Sequence, residues 1–417
     1  MSIKKIMISN IYSWKNKGDA AIVLTMIDDV KKQFPEAEIV LSSLDPNDDG
    51  KYGDYQVQKN IAYFVYDGVQ RYRYKILLML FFLMRFYVFY GVDKIIRIKP
   101  YFIFGKSLRS KLKSYKDVDL IIACGGGYML TETKSSIFGK YMFWHDFFTG
   151  YKLFDKPFIL YNQSVGPFYN KFHQKLASRM LSCAKQIICR EELTYNRMNE
   201  LGMANITLRS DIAFNLKMIA DDSLLTKNSF SSDHTNIGLT VRKWMSADKQ
   251  VVYETAIADF ISKVCTEDSS AKFYFMPQVI FGDNNDNDLF VSKNIYNLLG
   301  EKYKQHVVVI EEDMHPSVLK YVISKMDYFV GTRMHSNIFA LSSIVKTIAI
   351  AYEPKTLGIM KMLHLSDYAF EMEKVTGSKL YDKFMNLKSD KEYVVNLQNK
   401  MKEIDGFTVS DLNELSH

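Results

Sequence analysis

An arginine and a histidine stand two residues apart in the segment GTRMHSN at 331–337. This segment follows the apolar run Tyr328–Val330 and precedes the apolar run IFAL, so we expect it to join a strand to a helix N-terminus. Arg333 suits a carboxylate or a phosphate, and His335 exchanges a proton near neutral pH. The alternative is an ion-paired Arg333 beside an interior His335. Because both stand at one turn, where a helix dipole favours negative charge, we predict an anion-binding site.

Two further arginines each end a predicted strand. Arg242 lies in GLTVRKW beside Lys243, with no acidic neighbour in the sequence. Arg190 lies in IICREE and precedes Glu191 and Glu192, so its role could be an ion pair. We therefore rank Arg242 before Arg190 as a second anion ligand.

Three glycines, Gly125, Gly126 and Gly127, directly follow the apolar strand predicted at Leu120–Cys124. Glycines allow backbone N–H groups to approach a ligand closely or to adopt a positive φ. The spacing is not that of a GxGxxG dinucleotide site, and no later acidic residue supports one. The glycines therefore indicate either a substrate-binding turn or a tight turn from a strand into a helix.

Polar residues also stand where the first predicted strand, 3–9, gives way to a helix. Asn16, Lys17, Gly18 and Asp19 occupy this junction, and Asp19 is predicted to cap the helix. Backbone amides exposed there could instead bind an anionic or a sugar oxygen, so we include Asn16, Gly18 and Asp19 among the candidate ligands.

Other ionisable side chains are secondary candidates. They are His145 in FWHDFF and the consecutive acids Glu311, Glu312 and Asp313. The sequence contains no HExxH, GxSxG, Walker or kinase motif, so these residues belong to no recognisable catalytic pattern.

Strands and helices alternate along most of the chain, which predicts an α/β protein with parallel sheets. Residues 217–235 lose the apolar periodicity and are expected to link two domains. We predict a Rossmann-like N-terminal domain at 1–216, a Rossmann-like C-terminal domain at 236–375 and a helical tail at 376–417. Two such domains facing a cleft form a GT-B-like architecture, in which the strand ends line the cleft.

The segment 71–99 is unusually apolar and aromatic. From Ile76 to Tyr90 only Arg85 is charged, and this run is shorter than the ~20 residues that span a bilayer. It predicts either a buried helix or hairpin, or an interfacial segment that contacts a membrane. Basic residues that would lie near lipid headgroups flank the run: Arg71, Arg73, Lys75, Lys94, Arg97 and Lys99.

Composition bounds the class of protein. The chain has 417 residues and a net charge of +7, and it lacks a Lys/Arg-dense tract interleaved with aromatic residues, so nucleic-acid binding is not expected. Its four cysteines show neither a CxxC pair nor the spacing of metal ligands. The N-terminal sequence lacks the apolar core of a signal peptide. We expect a cytoplasmic protein, with the inner face of the cell membrane as a further expected location.

Eight stretches, in this order, resemble the polysaccharide pyruvyl transferase family. They are NKGDAAI at 16–22, DLIIACGGGYML at 119–130, QSVGPF at 163–168, ICREELTYNRMNELG at 188–202, RSDIAF at 209–214, IGLTVRKW at 237–244, GTRMHSNIFAL at 331–341 and AIAYEPKTLGIMKMLHL at 349–365. The R-x-H turn is the most specific of them and is intact. Residues 162–164, before the Gly-Pro turn, depart from the pattern, and the block 76–90 lies outside it.

The resemblance implies a GT-B-like fold, no metal or other cofactor, and phosphoenolpyruvate as the donor. It also implies an acceptor sugar linked to a lipid or a nucleotide, on the way to a surface polysaccharide. Arg333 and His335 would contact the donor, joined by Arg242 or Arg190. The N-terminal domain would bind the acceptor and the C-terminal domain the donor. We hypothesise that His335 is the acid/base of ketal formation.

Two alternatives use the same features differently. A GT-B glycosyltransferase would bind a nucleotide sugar, with Glu311 or Glu312 near the ribose, because a fold does not determine a function. A non-catalytic scaffold at the membrane would use the segment 71–99, although the intact Arg333 and His335 argue against it.

Overall fold

The chain folds into two compact units. The computed structural model describes residues 3–48, 50–66, 71–280 and 287–405. Of these, the first unit contains the residues up to Trp14 and Ile22–Ile212, and the second contains Lys15–Ala21 and the residues from Ala213 onward. The predicted N-terminal domain included 15–21, which the structure groups with the second unit.

The first unit is built on a parallel sheet. Its strands are β1 (Lys5–Ile11), β2 (Glu38–Ser43), β3 (Gln56–Lys59), β4 (Leu120–Ala123), β5 (Gly126–Thr131), β6 (Phe158–Phe168), β7 (Gln186–Cys189) and β8 (Ile206–Leu208). They lie in the order β3-β2-β1-β4-β6-β7-β8, and β5 pairs with β6. Its helices are α1 (Lys17–Gln33), which begins in the second unit, α2 (Ile61–Tyr66), α3 (Tyr72–Ile96), α4 (Lys106–Asp117), α5 (Ser136–Phe154), α6 (Lys171–Leu181) and α7 (Glu192–Glu200).

The second unit is also built on a parallel sheet. Its strands are β9 (Thr235–Thr240), β10 (Ala271–Phe275), β11 (Val307–Val309), β12 (Tyr328–Gly331), β13 (Lys346–Ala351) and β14 (Ala369–Glu371), ordered β11-β10-β9-β12-β13-β14. Its helices are α8 (Asp222–Lys227), α9 (Ala247–Glu267), α10 (Asp288–Leu298), α11 (Glu301–Lys304), α12 (Pro316–Ile323), α13 (Met334–Ser342), α14 (Pro354–Met362), α15 (Gly377–Ser389) and α16 (Tyr393–Asp405).

The central strands are apolar on both faces, as strands covered by helices must be. Strand β4, with the sequence LIIA, is buried at every position, and β9 and β13 bury all but their first residue. The predicted α/β class with parallel sheets is confirmed.

The predicted linker and the predicted C-terminal tail both contain helices. The polar stretch 217–235, predicted as a linker, contains helix α8, whose N-terminus is capped by Asp221. The predicted helical tail contains α15 and α16, and its last residues, 406–417, lie outside the described ones. The hydroxyl of Tyr393 in α16 accepts a hydrogen bond from the Thr347 amide of β13 at 3.1 Å, which fixes α16 on the second sheet.

The apolar segment forms α3, one continuous helix from Tyr72 to Ile96, so the hairpin alternative is wrong. Within the described residues, the stretch Arg73–Ile96 is the one helix that length and composition would allow to cross a membrane. Phe86 and Phe89 are fully buried in the first unit's core, whereas Leu77 and Met84 are exposed. The buried-helix interpretation therefore holds for one face only.

A buried carboxylate ties the elements of the first unit together. Asp146 of α5 accepts hydrogen bonds from the Ser42 hydroxyl (2.6 Å), the Tyr115 hydroxyl (2.8 Å) and the Ile61 amide (3.0 Å). The ammonium group of Lys111 lies 3.5 Å away. These partners come from β2, α4 and α2, so the carboxylate fixes three elements against α5.

His145, next to Asp146, lies inside the core rather than in a site. The aromatic rings of Phe82, Phe86 and Tyr141 surround its imidazole, and neither ring nitrogen has a hydrogen-bond partner. Burial lowers the pKa of His145 to about 3. The imidazole is therefore neutral at physiological pH, and its interpretation as a site residue is not supported.

We expect His145 to destabilise the fold in acid. An unfolded histidine takes up a proton as the pH falls below about 6.5, whereas the folded one does so only near 3, so stability is lost as the pH falls through this window. When the pH is lowered from 7.5 to 4.5, the unfolding free energy of the parent should fall by roughly 3 kcal/mol more than that of His145→Leu. Urea denaturation followed by circular dichroism measures this, and identical losses would contradict the assignment.

Candidate anion-binding site in the second unit

The structure divides the predicted site residues between the two units. The second unit contains Asn16, Gly18, Asp19, Arg242, Arg333 and His335. The first unit contains Gly125, Gly126, Gly127 and Arg190. The R-x-H turn and the junction at 16–19, far apart in sequence, are thus in the same compact unit.

Two of the arginines leave the second sheet at the same edge. Strands β9 and β12 are neighbours, with Gly331 paired to Thr240. Arg242 follows the end of β9 by two residues, and Arg333 follows the end of β12 by two residues. The carboxyl edge of a parallel sheet is where open α/β proteins bind ligands, so the arginines stand at the expected place.

A buried carboxylate fixes Arg333. The Nη2 of Arg333 lies 2.6 Å from Oδ1 of Asp288, and its Nε lies 3.1 Å from both carboxylate oxygens. Asp288 also accepts hydrogen bonds from the amides of Gln278 (3.1 Å) and Val279 (3.0 Å). Burial raises the pKa of Asp288, and the Arg333 guanidinium opposes that shift. The paired and hydrogen-bonded carboxylate orients the guanidinium.

Aromatic rings hold Arg242. Its guanidinium carbon lies 4.0 Å from the ring centroid of Tyr352 and 4.6 Å from that of Trp244, within the range of cation–π contacts. Burial raises the pKa of the Tyr352 phenol, and the positive charges of Arg242 and Arg333 oppose the shift. Tyr352 thus contacts Arg242, and Arg242 and Arg333 follow neighbouring strands at the same edge of the sheet.

Short hydrogen bonds hold the R-x-H turn itself. The Ser336 hydroxyl donates to the Arg333 carbonyl and shares a second bond with the Thr240 hydroxyl, both at 2.6 Å. The hydroxyls of Thr332 and Tyr253 also lie 2.6 Å apart. The turn is thereby attached to β9 and to α9, so the side chains of Arg333 and His335 start from a fixed backbone.

The imidazole of His335 lies directly on Gly18. A Cβ atom at Gly18 would stand 2.1 Å from Nδ1 of His335, closer than any real contact. His335 occupies the first turn of α13, and Gly18 the first turn of α1. Glycine at this position is explained by the ring that covers it.

The junction at 16–19 is attached to the same assembly through its backbone. The Lys17 amide donates to the Gln278 carbonyl at 3.1 Å, and Asn16 forms an antiparallel bridge with Val279. The Asn16 side chain accepts a hydrogen bond from the Gly18 amide at 3.0 Å. Asn16 is therefore the helix cap, and the prediction that Asp19 caps α1 is wrong because Asp19 lies inside the first turn.

Lys17 is the main residue that sequence reasoning did not select. Its side chain is buried, and its ammonium group lies 2.6 Å from Oδ1 of Asp313. Burial and the charge of Lys17 lower the pKa of His315. The signal was present, because Lys17 lies inside the NKGD stretch from which its neighbours were chosen.

Contacts within the first unit account for Arg190 and for the glycine triplet. The Arg190 guanidinium donates to the Ser164 hydroxyl at 2.7 Å and pairs with Asp211 at 3.0 Å. Gly126 and Gly127 open strand β5, so the triplet leads into a strand and not into a helix. A Cβ at Gly125 would lie 2.9 Å from the Asn162 carbonyl, which explains this glycine by close packing.

The acidic candidates are engaged in ion pairs. Glu311 pairs with Lys293 at 2.9 Å, and Glu312 pairs with Lys227, whose hydrogen bond lowers the pKa of Glu312. In the part of the chain that the structure describes, no group of three or more His, Cys, Asp or Glu side chains is arranged to hold a metal ion.

The contact between Gly18 and His335 predicts energetic coupling between the two residues. At an open position in a helix, replacing glycine with alanine stabilises the folded protein by up to about 1 kcal/mol. We expect this for Gly358→Ala, because no atom lies within 4 Å of the added Cβ. Gly18→Ala should instead destabilise by about 1–3 kcal/mol because the imidazole is displaced.

The coupling is measured as a double-mutant cycle on the unfolding free energy. In a His335→Ala background, Gly18→Ala should lose most of its cost, because the ring that it displaces is gone. An equal cost in both backgrounds would show that the contact does not exist.

Comparison with known proteins places this geometry in context. The chain is 24% identical over 397 residues to the amylovoran biosynthesis protein AmsJ of Erwinia amylovora, with 91% of each chain covered. Among solved structures, UDP-GlcNAc 2-epimerase from Neisseria meningitidis bound to UDP-GlcNAc is similar with a TM-score of 0.58 at 11% identity, covering 99% of both chains.

A glycosyltransferase from Rickettsia africae ESF-5 is similar with a TM-score of 0.54 at 10% identity, covering 98% of this chain and 95% of the other. At such identities the likeness concerns the fold alone, and it confirms the predicted GT-B-like class.

The family resemblance seen in the sequence is confirmed as well. The family model of the polysaccharide pyruvyl transferases spans both the junction that contains Gly18 and the turn that contains Arg333 and His335. Because that model matches residues 16–354, the chain belongs to the polysaccharide pyruvyl transferase family.

Proposed function

We propose that the protein transfers the pyruvyl group of phosphoenolpyruvate onto two hydroxyls of a sugar, forming a ketal during the synthesis of a surface polysaccharide. The observation that carries the proposal is the convergence of Arg242 and Arg333 at one sheet edge, with His335 fixed against Gly18 beside them. Membership of the family supports the reaction, and the name of AmsJ supports a polysaccharide product.

The donor suits two guanidinium groups. Phosphoenolpyruvate carries a carboxylate and a phosphate, and arginines bind both groups through paired hydrogen bonds. Arg333 is oriented by Asp288, and Arg242 by the rings of Tyr352 and Trp244. Cationic groups fixed in advance stabilise the charge that develops on the departing phosphate without having to reorganise.

The reaction requires the movement of two protons. The methylene carbon of the donor gains one, the adjacent carbon forms bonds to two acceptor oxygens, and its bond to the phosphate oxygen breaks. The two hydroxyls supply both protons, one of which ends on the methyl group and the other on phosphate. We assign His335 as the group that transfers protons between the acceptor and the donor.

We assign the acceptor to the first unit and the donor to the second. Gly125, Gly126 and Gly127 remain candidate acceptor ligands, because they stand at the carboxyl end of β4. The buried amide of Gln163 donates to the Tyr128 hydroxyl at 2.8 Å and to the Cys124 carbonyl, which fixes the backbone around this turn. The acceptor is a sugar linked to a lipid or to a nucleotide.

The glycosyltransferase alternative has less support than pyruvyl transfer. It relied on Glu311 or Glu312 for a ribose, and both carboxylates are held in ion pairs with lysines. The structural likeness to enzymes of UDP-sugars is one of fold and does not transfer their substrates.

The assay is phosphate release from phosphoenolpyruvate with a panel of lipid-linked and nucleotide-linked sugars. We expect release that depends on the acceptor and falls by about 10²–10⁴-fold in His335→Asn, the usual range for a lost acid/base. His364→Asn is the matched control, since His364 is exposed and has a φ of 59°, which asparagine tolerates.

Undiminished turnover in His335→Asn would refute the role of His335. Failure of every acceptor to stimulate release, together with tight binding of a nucleotide sugar, would refute pyruvyl transfer.

A further inference from the structure

Helix α3 is apolar on two opposite faces, and only one of them is covered. On the inner face, Met79, Phe82, Phe86 and Phe89 are buried at the spacing of helical turns. Their rings contact Phe104 and other aromatic residues of the first unit's core. The inner face therefore belongs to the fold.

The outer face carries large apolar side chains exposed to solvent. We define it as Leu77, Leu80, Phe81, Met84, Tyr87 and Val88. Leu77 is 61% exposed and Met84 55%, values that are unusual for six neighbouring apolar residues on one helix. Apolar residues remain exposed past the helix end, and Phe102 is 78% exposed. Such a patch marks an interaction surface.

Positive charge surrounds the outer face. Arg71 and Arg73 are exposed near the N-terminus of α3, and Lys94 and Arg97 are exposed near its C-terminus. The guanidinium of Arg85 lies 3.9 Å from the ring centroid of Phe81, within the outer face itself. The helix contains one acid, Asp93, which pairs with Lys99 at 2.7 Å. The surface thus combines apolar side chains with a cationic rim.

We propose that the outer face of α3 docks the protein in the plane of an anionic lipid membrane. The apolar side chains enter the boundary between headgroups and acyl chains, and the basic residues meet anionic headgroups. The helix does not cross the bilayer, because its inner face forms part of the protein core. In-plane docking leaves that core intact while covering the outer face.

Charge argues against a second copy of this chain as the occupant. A two-fold contact of the outer face with itself would bring two sets of basic residues together, with Asp93 already paired within each chain. Anionic lipid neutralises the same charges. Docking on a membrane does not depend on the chemistry of the candidate site. If the proposed function holds as well, docking favours lipid-linked sugars over nucleotide-linked sugars as acceptors.

The test is flotation of the full chain with vesicles. We expect binding to vesicles of phosphatidylcholine with 30% phosphatidylglycerol, at least tenfold stronger than to phosphatidylcholine alone and weakened by salt. The variant Leu77→Ser, Met84→Ser, Val88→Ser should bind at least tenfold less.

The matched control changes the same residue types at exposed positions elsewhere: Leu193→Ser, Met218→Ser and Val252→Ser. This control should float like the parent, and thermal unfolding should show that both variants remain folded. Because all six residues are exposed, neither set removes core packing.

The proposal would be overturned if the parent did not float with the vesicles, or if the two triple variants floated equally. A dimer in light scattering that the outer-face variant abolishes, without vesicle binding, would identify a second copy as the occupant and would also overturn it. None of these outcomes depends on pyruvyl transfer, which is measured separately by phosphate release.

Discussion

The geometry of the candidate site depends on one buried ion pair, that of Arg333 with Asp288. Its carboxylate is fully buried and also holds the amides of Gln278 and Val279, so the turn after β12 and the segment before α10 are fixed together. Removing one partner of such a pair leaves an uncompensated charge and typically costs about 3–5 kcal/mol. The value of the pair here is orientation, because a fixed guanidinium needs no reorganisation when it meets an anion.

The segment that contains Gln278 and Val279 also fixes the start of α1. Gln278 and Val279 pair through their backbone with Lys17 and Asn16, which places Gly18 under the ring of His335. Three stretches that are far apart in the sequence thus form one continuous network within the second unit. Arg333 and His335 come from one turn, and the glycine on which the histidine rests comes from another.

Local sequence patterns predicted the parallel sheets and the turn from strand to helix at 331–337. The ranking of Arg242 before Arg190 as an anion ligand stays a prediction. These patterns did not predict Asp288, because a partner 45 residues away in the chain leaves no local signal. They also passed over Lys17, although its neighbours in the NKGD stretch were selected. The cap of α1 was assigned to Asp19 instead of Asn16, since both residue types cap helices and only the helix start distinguishes them. His145 looked functional by residue type, but its environment, which makes it a core residue, is a tertiary property.

The central claim, that the second unit binds phosphoenolpyruvate through Arg242 and Arg333, is tested most directly by calorimetric titration of the donor. Phosphoenolpyruvate should bind the parent, and Arg242→Gln should weaken binding at least tenfold, as expected for a lost charged hydrogen bond. Arg179→Gln, which alters an exposed arginine of the first unit, should bind like the parent. Unchanged affinity in Arg242→Gln, or binding of UDP-glucose but not of phosphoenolpyruvate, would contradict the account.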